Sequence, residues 1–193
     1  MGQRRYGMKA IIISGSRNPA GQTAQAAQAV EAGLTRQSVE CETIYLPVHQ
    51  IERCRQCDDN GWGLCRREGA CIIEDDFAGI VDQLRAADVA VFANPVYYGD
   101  LSESLRAFTD RLRRICTQPA GRVGIEKKPA IGVCVAGGGG GGAPECCASL
   151  TKVLRTCGFD IVDMIPVRRQ NLAAKLPQLD MTGQWLADKP TSD

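Results

Sequence analysis

Four cysteines fall within one short stretch, Cys54-x2-Cys57-x7-Cys65-x5-Cys71, and a hydroxyl- and glycine-bearing loop, Ser14-Gly15-Ser16-Arg17-Asn18-Pro19-Ala20-Gly21-Gln22-Thr23, lies upstream of them. Four thiolates are the donor set of a [4Fe–4S] cluster or of a tetrahedral zinc ion. Zinc sites more often pair two Cys-x2-Cys knuckles, and only the Cys54/Cys57 pair has that spacing. Free or redox-active thiols are the third reading. The upstream loop follows an apolar run and precedes a helical pattern. In that context unpaired backbone N–H groups and the positive end of a helix dipole face one spot, which attracts a phosphate. Ser14, Ser16, Arg17, Gln22 and Thr23 are the candidate binders, with hydroxyl and guanidinium donors among them. An ordinary capped turn between strand and helix is the alternative. The glycine spacing departs from the three-glycine dinucleotide fingerprint, so a monophosphate fits better than a pyrophosphate.

The elements that must position these residues alternate regularly. Met8–Ile13 is an apolar run of strand length, and a helix beginning near Gly21 carries Ala27, Val30 and Leu34 on one face. Val39–Leu46 reads as a second strand near an edge, because it holds Glu40 and Glu42. From Val48 to Ile73 no period is visible, and an irregular insertion of that length inside a domain is commonly functional. Asp75 and Asp76 suit the start of a helix with Phe77, Ile80, Val81 and Leu84 buried. Asp88–Ala93 reads as a central strand. A helix through Leu101, Leu105, Phe108, Leu112 and Ile115 follows, and Arg106, Arg111, Arg113 and Arg114 are expected on its solvated face. Ala130–Val135 and Phe159–Val167 read as the last two strands, with a helix over Pro144–Cys157 between them that Gly158 ends. A weak helix is expected from Pro177 to Ala187, because proline favours a first helical turn.

This alternation predicts an α/β fold, a doubly wound, flavodoxin-like parallel sheet of five strands in the order 2-1-3-4-5. Its crevice lies where the loops after strands 1, 3 and 4 meet. Those loops carry the phosphate candidate, Pro95-Val96-Tyr97-Tyr98-Gly99, and Ala136 followed by the glycines Gly137, Gly138 and Gly139 of a six-glycine run. A flat ring needs an apolar or aromatic wall and accessible backbone, which Tyr97 or Tyr98 and the glycines would supply. A mobile lid is the other reading of the glycine run. Tyr97 and Tyr98 are also the candidate catalytic proton donors, since no other acid or base is obvious.

With 193 residues and no visible linker, residues 1–193 are expected to form one domain, with a cysteine-rich insertion at about 48–73 and a C-terminal extension at about 168–193. Charge is balanced at 23 basic to 22 acidic residues, which argues against a nucleic-acid partner. No run approaches the roughly 18 apolar residues of a membrane span, so a cytoplasmic protein without a membrane partner is expected. In that compartment ten cysteines point to metal or redox chemistry rather than a disulfide framework. Cys41, Cys116, Cys134, Cys146, Cys147 and Cys157 fall in helix or strand patterns and read as small apolar residues. His49, the single histidine, reads as a surface residue, and no hydrolytic triad is visible.

Taken in order, Gly15-Ser16-Arg17 with Gln22-Thr23, Asp75-Asp76, Pro95 to Gly99, Phe108-Thr109-Asp110-Arg111 and Gly137 to Gly140 resemble the NADPH-dependent FMN reductase-like flavodoxin-fold proteins, and among them the iron–sulfur flavoproteins. The resemblance spans roughly Lys9 to Asn171. It implies FMN, with Ser16, Arg17, Gln22 and Thr23 at its phosphate and Pro95–Gly99 with Ala136–Gly139 at its isoalloxazine. It also implies an FMN-dependent oxidoreductase or electron-transfer protein that takes electrons from a ferredoxin or NAD(P)H and gives them to a small acceptor, and a homodimer or homotetramer. The cluster motif typical of iron–sulfur flavoproteins reads Cys-x2-Cys-x2-Cys before its last cysteine, whereas here Asp58–Leu64 displaces the third. Other expectations compatible with the residues are a flavodoxin-like carrier or sensor without turnover, and a zinc-stabilised binding module.

Overall fold

Alternate residues of the apolar runs point to opposite cores, as a strand's period of two requires. In a computed structural model of the chain, which describes residues 7–189, Ile11, Ile13, Ala90, Phe92, Ala130 and Cys134 face one core, while Ala10, Ile12, Val89, Val91, Ile131 and Val133 face the other. Both faces of the sheet are therefore covered, which is why its inner strands read as unbroken apolar runs. The strands are β1 (Lys9–Ser14), β2 (Glu40–Tyr45), β3 (Val89–Pro95), β4 (Pro129–Ala136) and β5 (Asp160–Arg168). All pair in parallel, in the order β2-β1-β3-β4-β5, as expected from the sequence.

On the first face pack α3 (Phe77–Ala86), α4 (Glu103–Ile115) and α6 (Ala143–Cys157), through Phe77, Leu84, Leu105, Phe108, Leu112, Leu150 and Leu154. On the second pack α1 (Gln22–Arg36) and α7 (Leu172–Ala187), through Val30, Leu34, Leu172, Leu179 and Leu186. Two one-turn helices complete the chain, α2 (Leu64–Glu68), inside the stretch where no period is visible, and α5 (Pro119–Arg122), between α4 and β4. Gly158 ends α6 at φ 99°, a left-handed conformation that glycine adopts without a Cβ clash. Among the described residues no helix is long and apolar enough to cross a membrane. The expected C-terminal extension is described up to residue 189, and residues 190–193 lie outside the described part.

The C-terminal helix corrects one expectation. It starts at Leu172, and Pro177 lies inside it rather than in its first turn. A proline there removes a backbone donor and crowds the preceding turn, a cost near 3 kcal/mol. Tertiary packing offsets that cost: a Cβ on Gly33 of α1 would fall 2.0 Å from the Asp180 carbonyl oxygen, and one on Gly183 would fall 2.1 Å from the Val30 carbonyl oxygen. The two helices thus touch backbone to backbone at paired glycines, and Arg36 forms an ion pair with Asp180 beside the crossing.

Candidate functional site

β1 delivers the chain into the phosphate-candidate loop with Gly15 N–H donating to the Ala93 carbonyl at 2.9 Å. The loop then folds on its own side chains. Ser16 N–H donates to Ser14 Oγ (3.2 Å), Asn18 N–H to Ser16 Oγ (3.3 Å) and Ala20 N–H to Asn18 Oδ1 (3.0 Å). Ser14 is fully buried and committed to this internal bond, whereas Ser16 and Thr23 lie at the rim, 8% and 5% exposed. Arg17 is exposed and Gln22 half-buried. Gly21 is the N-cap residue of α1 and has no side chain to cap it, and no acidic residue occupies the first turn. The dipole end is thereby left without a protein anion.

Three contacts gather the loops after β1, β3 and β4. The Gly15 carbonyl accepts hydrogen bonds from Ser102 Oγ and Ser104 Oγ, both at 3.2 Å. Ser102 is held in turn by Asn94, whose Oδ1 accepts from the Ser102 backbone N–H and hydroxyl at 3.0 Å, while Asn94 Nδ2 donates to Cys146 Sγ at 3.1 Å. A Cβ on Gly142 would stand 2.6 Å from the Gly99 Cα, so the third and fourth loops meet through bare backbone. The position of a Cβ on Gly137 lies 3.9 Å from Gln22 Oε1, which turns the glycine run toward the start of α1.

Tyr97 and Asp100 exchange both backbone hydrogen bonds, at 3.0 and 2.9 Å, with Tyr98 (φ 51°) and Gly99 (φ 77°) at the centre of a tight turn. Both central residues are left-handed, the geometry of a type I′ turn. A tyrosine at such a φ is strained. Tyr98 projects fully into solvent, Tyr97 is 47% exposed, and Pro95 and Val96 are half-buried beneath them. Ala136 is buried at the end of β4, and Gly137, Gly138 and Gly139 are exposed. A Cβ on Gly138, Gly139 or Gly141 would meet nothing within 4 Å, so their backbone faces open space. This edge therefore combines an uncapped helix start, an aromatic tip and accessible glycine amides, a set that suits a phosphorylated flat-ring ligand.

Cys54, Cys57, Cys65 and Cys71 line one small, partly open cavity of about 20 Å3, together with Gly63, Ile73, Arg111, Arg114 and Ile115. All four thiols are half-buried and none is disulfide-bonded. The displaced third cysteine reaches the cavity because the chain doubles back: a Cβ on Gly63 would lie 2.9 Å from the Cys57 Cβ, and α2 then presents Cys65. Among the described residues no three Cys, His, Asp or Glu groups are gathered closely enough to hold a metal ion. The four thiols share this lining, and a zinc ion with bonds of about 2.3 Å would need four sulfurs within ~3.8 Å of each other.

Arg111 was expected in solvent and is instead 1% exposed. Its guanidinium pairs with Asp75 through two bonds of 2.6 and 2.9 Å, donates to the carbonyls of Glu52 (3.1 Å) and Ile73 (3.4 Å), and lies 4.2 Å from the Phe77 ring centroid. Those carbonyls flank the cysteine segment, so Arg111 clips its two ends to α4. Asp75 reinforces the clip by accepting the Glu52 and Phe77 backbone N–H groups at 2.8 and 3.1 Å. Burial works to raise the Asp75 pKa, but the Arg111 guanidinium and these N–H donors overcome it and hold it below the usual carboxylate value. Burial likewise opposes the Arg111 charge, and bonds to Asp75 and the Cys71 sulfur reverse that effect. His49 sits at the surface, 3.3 Å from Asp76.

Helical periodicity could have flagged Arg111, because it is three residues from Phe108 and four from Ile115, on the flank of the buried stripe. The Asn94–Ser102 clamp had no comparable signal in the sequence. Cys116, Cys134, Cys146, Cys147 and Cys157 are buried and Cys41 is half-buried, matching their reading as small apolar residues.

Comparison with known proteins agrees with this geometry. Residues 8–176 match the model of the NADPH-dependent FMN reductases. An iron-sulfur flavoprotein of Methanocaldococcus jannaschii is 31% identical over 129 residues, 67% of this chain and 61% of that protein. One of Methanosarcina thermophila is 35% identical over 72 residues, 37% of this chain and 35% of that protein. The chain thus spans less than two thirds of the length of these curated relatives. Among solved structures, an NAD(P)H:quinone oxidoreductase from Methanothermobacter marburgensis superposes with a TM-score of 0.68 at 19% identity, over 93% of this chain and 96% of that one. At that identity the likeness speaks for the fold.

Proposed function

Because the chain belongs to the NADPH-dependent FMN reductase family, we propose that it is an FMN-dependent oxidoreductase whose cysteine loop holds a [4Fe–4S] cluster, moving electrons from a reduced donor to a small acceptor. The observation that carries the reading is the meeting of the three loops on one edge, through Gly15 with Ser102, Gly99 with Gly142, and Gly137 with Gln22. The Cys54, Cys57, Cys65 and Cys71 cavity supports the cluster, as do the names of the iron–sulfur relatives.

When bound, FMN supplies two-electron acceptance and one-electron release, and the cluster supplies single-electron transfer. The chain supplies position and polarity. Ser16, Arg17, Gln22, Thr23 and the uncapped start of α1 bind the phosphate. Ser14 holds Ser16 in place rather than reaching the ligand. Pro95, Val96 and Gly99 form one wall for the ring, and the amides of Ala136 to Gly139 form the other, facing the end where negative charge gathers on reduction. Tyr97 or Tyr98 donates the proton that neutralises the acceptor. In the same reading, a second copy of the chain covers the exposed Tyr98 in a dimer or tetramer. A ferredoxin is the donor suited to the cluster, and NAD(P)H the donor suited to FMN alone.

Anaerobic purification with a visible spectrum and assays for flavin, iron and acid-labile sulfide tests both cofactors. Flavin bands over a broad shoulder that bleaches on reduction are expected, with about four irons for each set of four cysteines. A colourless protein carrying one zinc would overturn the proposal.

A further inference from the structure

Three arginines line the cysteine cavity, and two of them are neutralised. Arg55 pairs with Glu52 at 2.7 Å and Arg111 with Asp75 at 2.6 Å. Arg114 is different. Its guanidinium lies 4.1 Å from the Trp62 ring centroid and donates to the Gly61 carbonyl, yet among the described residues no carboxylate pairs with it. Its neighbours Arg113 and Arg67 pair with Asp110 and Asp58. The Nε atoms of Arg114 and Arg111 are both buried without a hydrogen-bond partner. A half-buried guanidinium with an idle donor and no counter-ion is costly, and such groups persist where an anion completes the site. A cluster on four thiolates is such an anion, carrying a net charge of about −2 when oxidised and −3 when reduced.

We propose that Arg114 is the built-in counter-charge of the group bound by Cys54, Cys57, Cys65 and Cys71, and that it sets the reduction potential of that group; this rests on the iron–sulfur reading above. A fixed cation favours the more negative state of a nearby redox centre, so Arg114 raises the midpoint potential, as charge and hydrogen bonds around cluster sulfurs generally do. The spacing of three residues from Arg111 places both guanidiniums on one flank of α4. Arg111 clips the loop, and Arg114 answers the charge inside it.

The test is a redox titration of reconstituted wild-type, Arg114→Gln and Arg114→Lys protein, followed by electron paramagnetic resonance, with iron and sulfide measured on each sample. Arg114→Gln is expected to lower the cluster midpoint by at least 59 mV, the equivalent of a tenfold change for a one-electron couple. Arg114→Lys keeps the charge and is expected to restore at least half of that shift. Arg66→Gln, which removes the other guanidinium near Trp62 (5.5 Å) without touching the cavity lining, should leave the midpoint in place. A fully loaded Arg114→Gln protein with the wild-type midpoint overturns the proposal, as do equal shifts in the Gln and Lys variants or equal loss of iron from both. Loss of iron from the Gln variant alone, with a near-wild-type midpoint in the Lys variant, supports it. Wild-type protein that binds flavin but takes up neither iron nor sulfide on anaerobic reconstitution refutes the cluster reading itself, an outcome separate from an unmoved potential.

Discussion

Removing the Asp75 carboxylate by Asp75→Ala leaves the Arg111 guanidinium 1% exposed and without a counter-charge, and also deletes the acceptor for the Glu52 and Phe77 backbone N–H groups. Breaking a buried ion pair from one side costs about 3–5 kcal/mol. In a domain of this size each kcal/mol lowers Tm by about 2–4 °C, so the variant should melt roughly 6–20 °C below wild type. Thermal unfolding of flavin-free protein at neutral pH, followed by circular dichroism, is the assay. The double variant Asp75→Ala, Arg111→Met exchanges the stranded charge for an apolar side chain against Phe77 and should recover most of the loss. The dependence on pH has a definite sign. The Asp75 pKa is held below its ordinary value of 3.8, so the pair's contribution is fully present above that pH and fades as pH falls through the lowered value. The gap between wild type and Asp75→Ala should therefore narrow in acid. A Tm change under about 2 °C, or a double variant no more stable than the single, would refute the account of Arg111 as a clip for the cysteine loop.

Replacing Thr23, 5% exposed at the start of α1, by Trp should fill the phosphate cradle and strip the flavin; yellow protein after gel filtration would count against that assignment. Gly142→Ala places a Cβ 2.6 Å from the Gly99 Cα at φ 83°, so about 1–3 kcal/mol of stability and at least tenfold in FMN affinity should be lost, read by melting and by fluorescence titration. Tyr98→Asn relieves a left-handed strain of about 1 kcal/mol, and Tm should rise by about 2–4 °C while turnover of a quinone acceptor falls. If turnover is unchanged, the tyrosine is neither wall nor proton donor.

The sheet order was legible because each element's pattern was local. Ile11 to Ile13 and Val89 to Phe92 are buried on both faces and read as strands on hydrophobicity alone. What escaped the sequence depended on pairs distant along the chain. Arg111 looks like any helix-surface arginine until Asp75 is known to face it, and nothing marks Asn94 until Ser102 is seen to bind it. Pro177 misled for the same reason: local propensity starts a helix at proline, but the crossing at Gly33 and Gly183 lets the helix begin a turn and a half earlier. The cysteine loop was legible as a set of donors. Its spacing was not, because the fold over Gly63 that brings Cys65 to its partners has no periodic signature.

That helix crossing also bears on how the protein is made. Gly33 leaves the ribosome about 150 residues before Gly183, and at roughly 5–20 residues per second the wait is on the order of 10 s. Throughout it the groove of α1, with Val30 and Leu34 along it, stands uncovered. During synthesis the α7-facing flank of α1 therefore stays uncovered until the segment from Leu172 onward has been made.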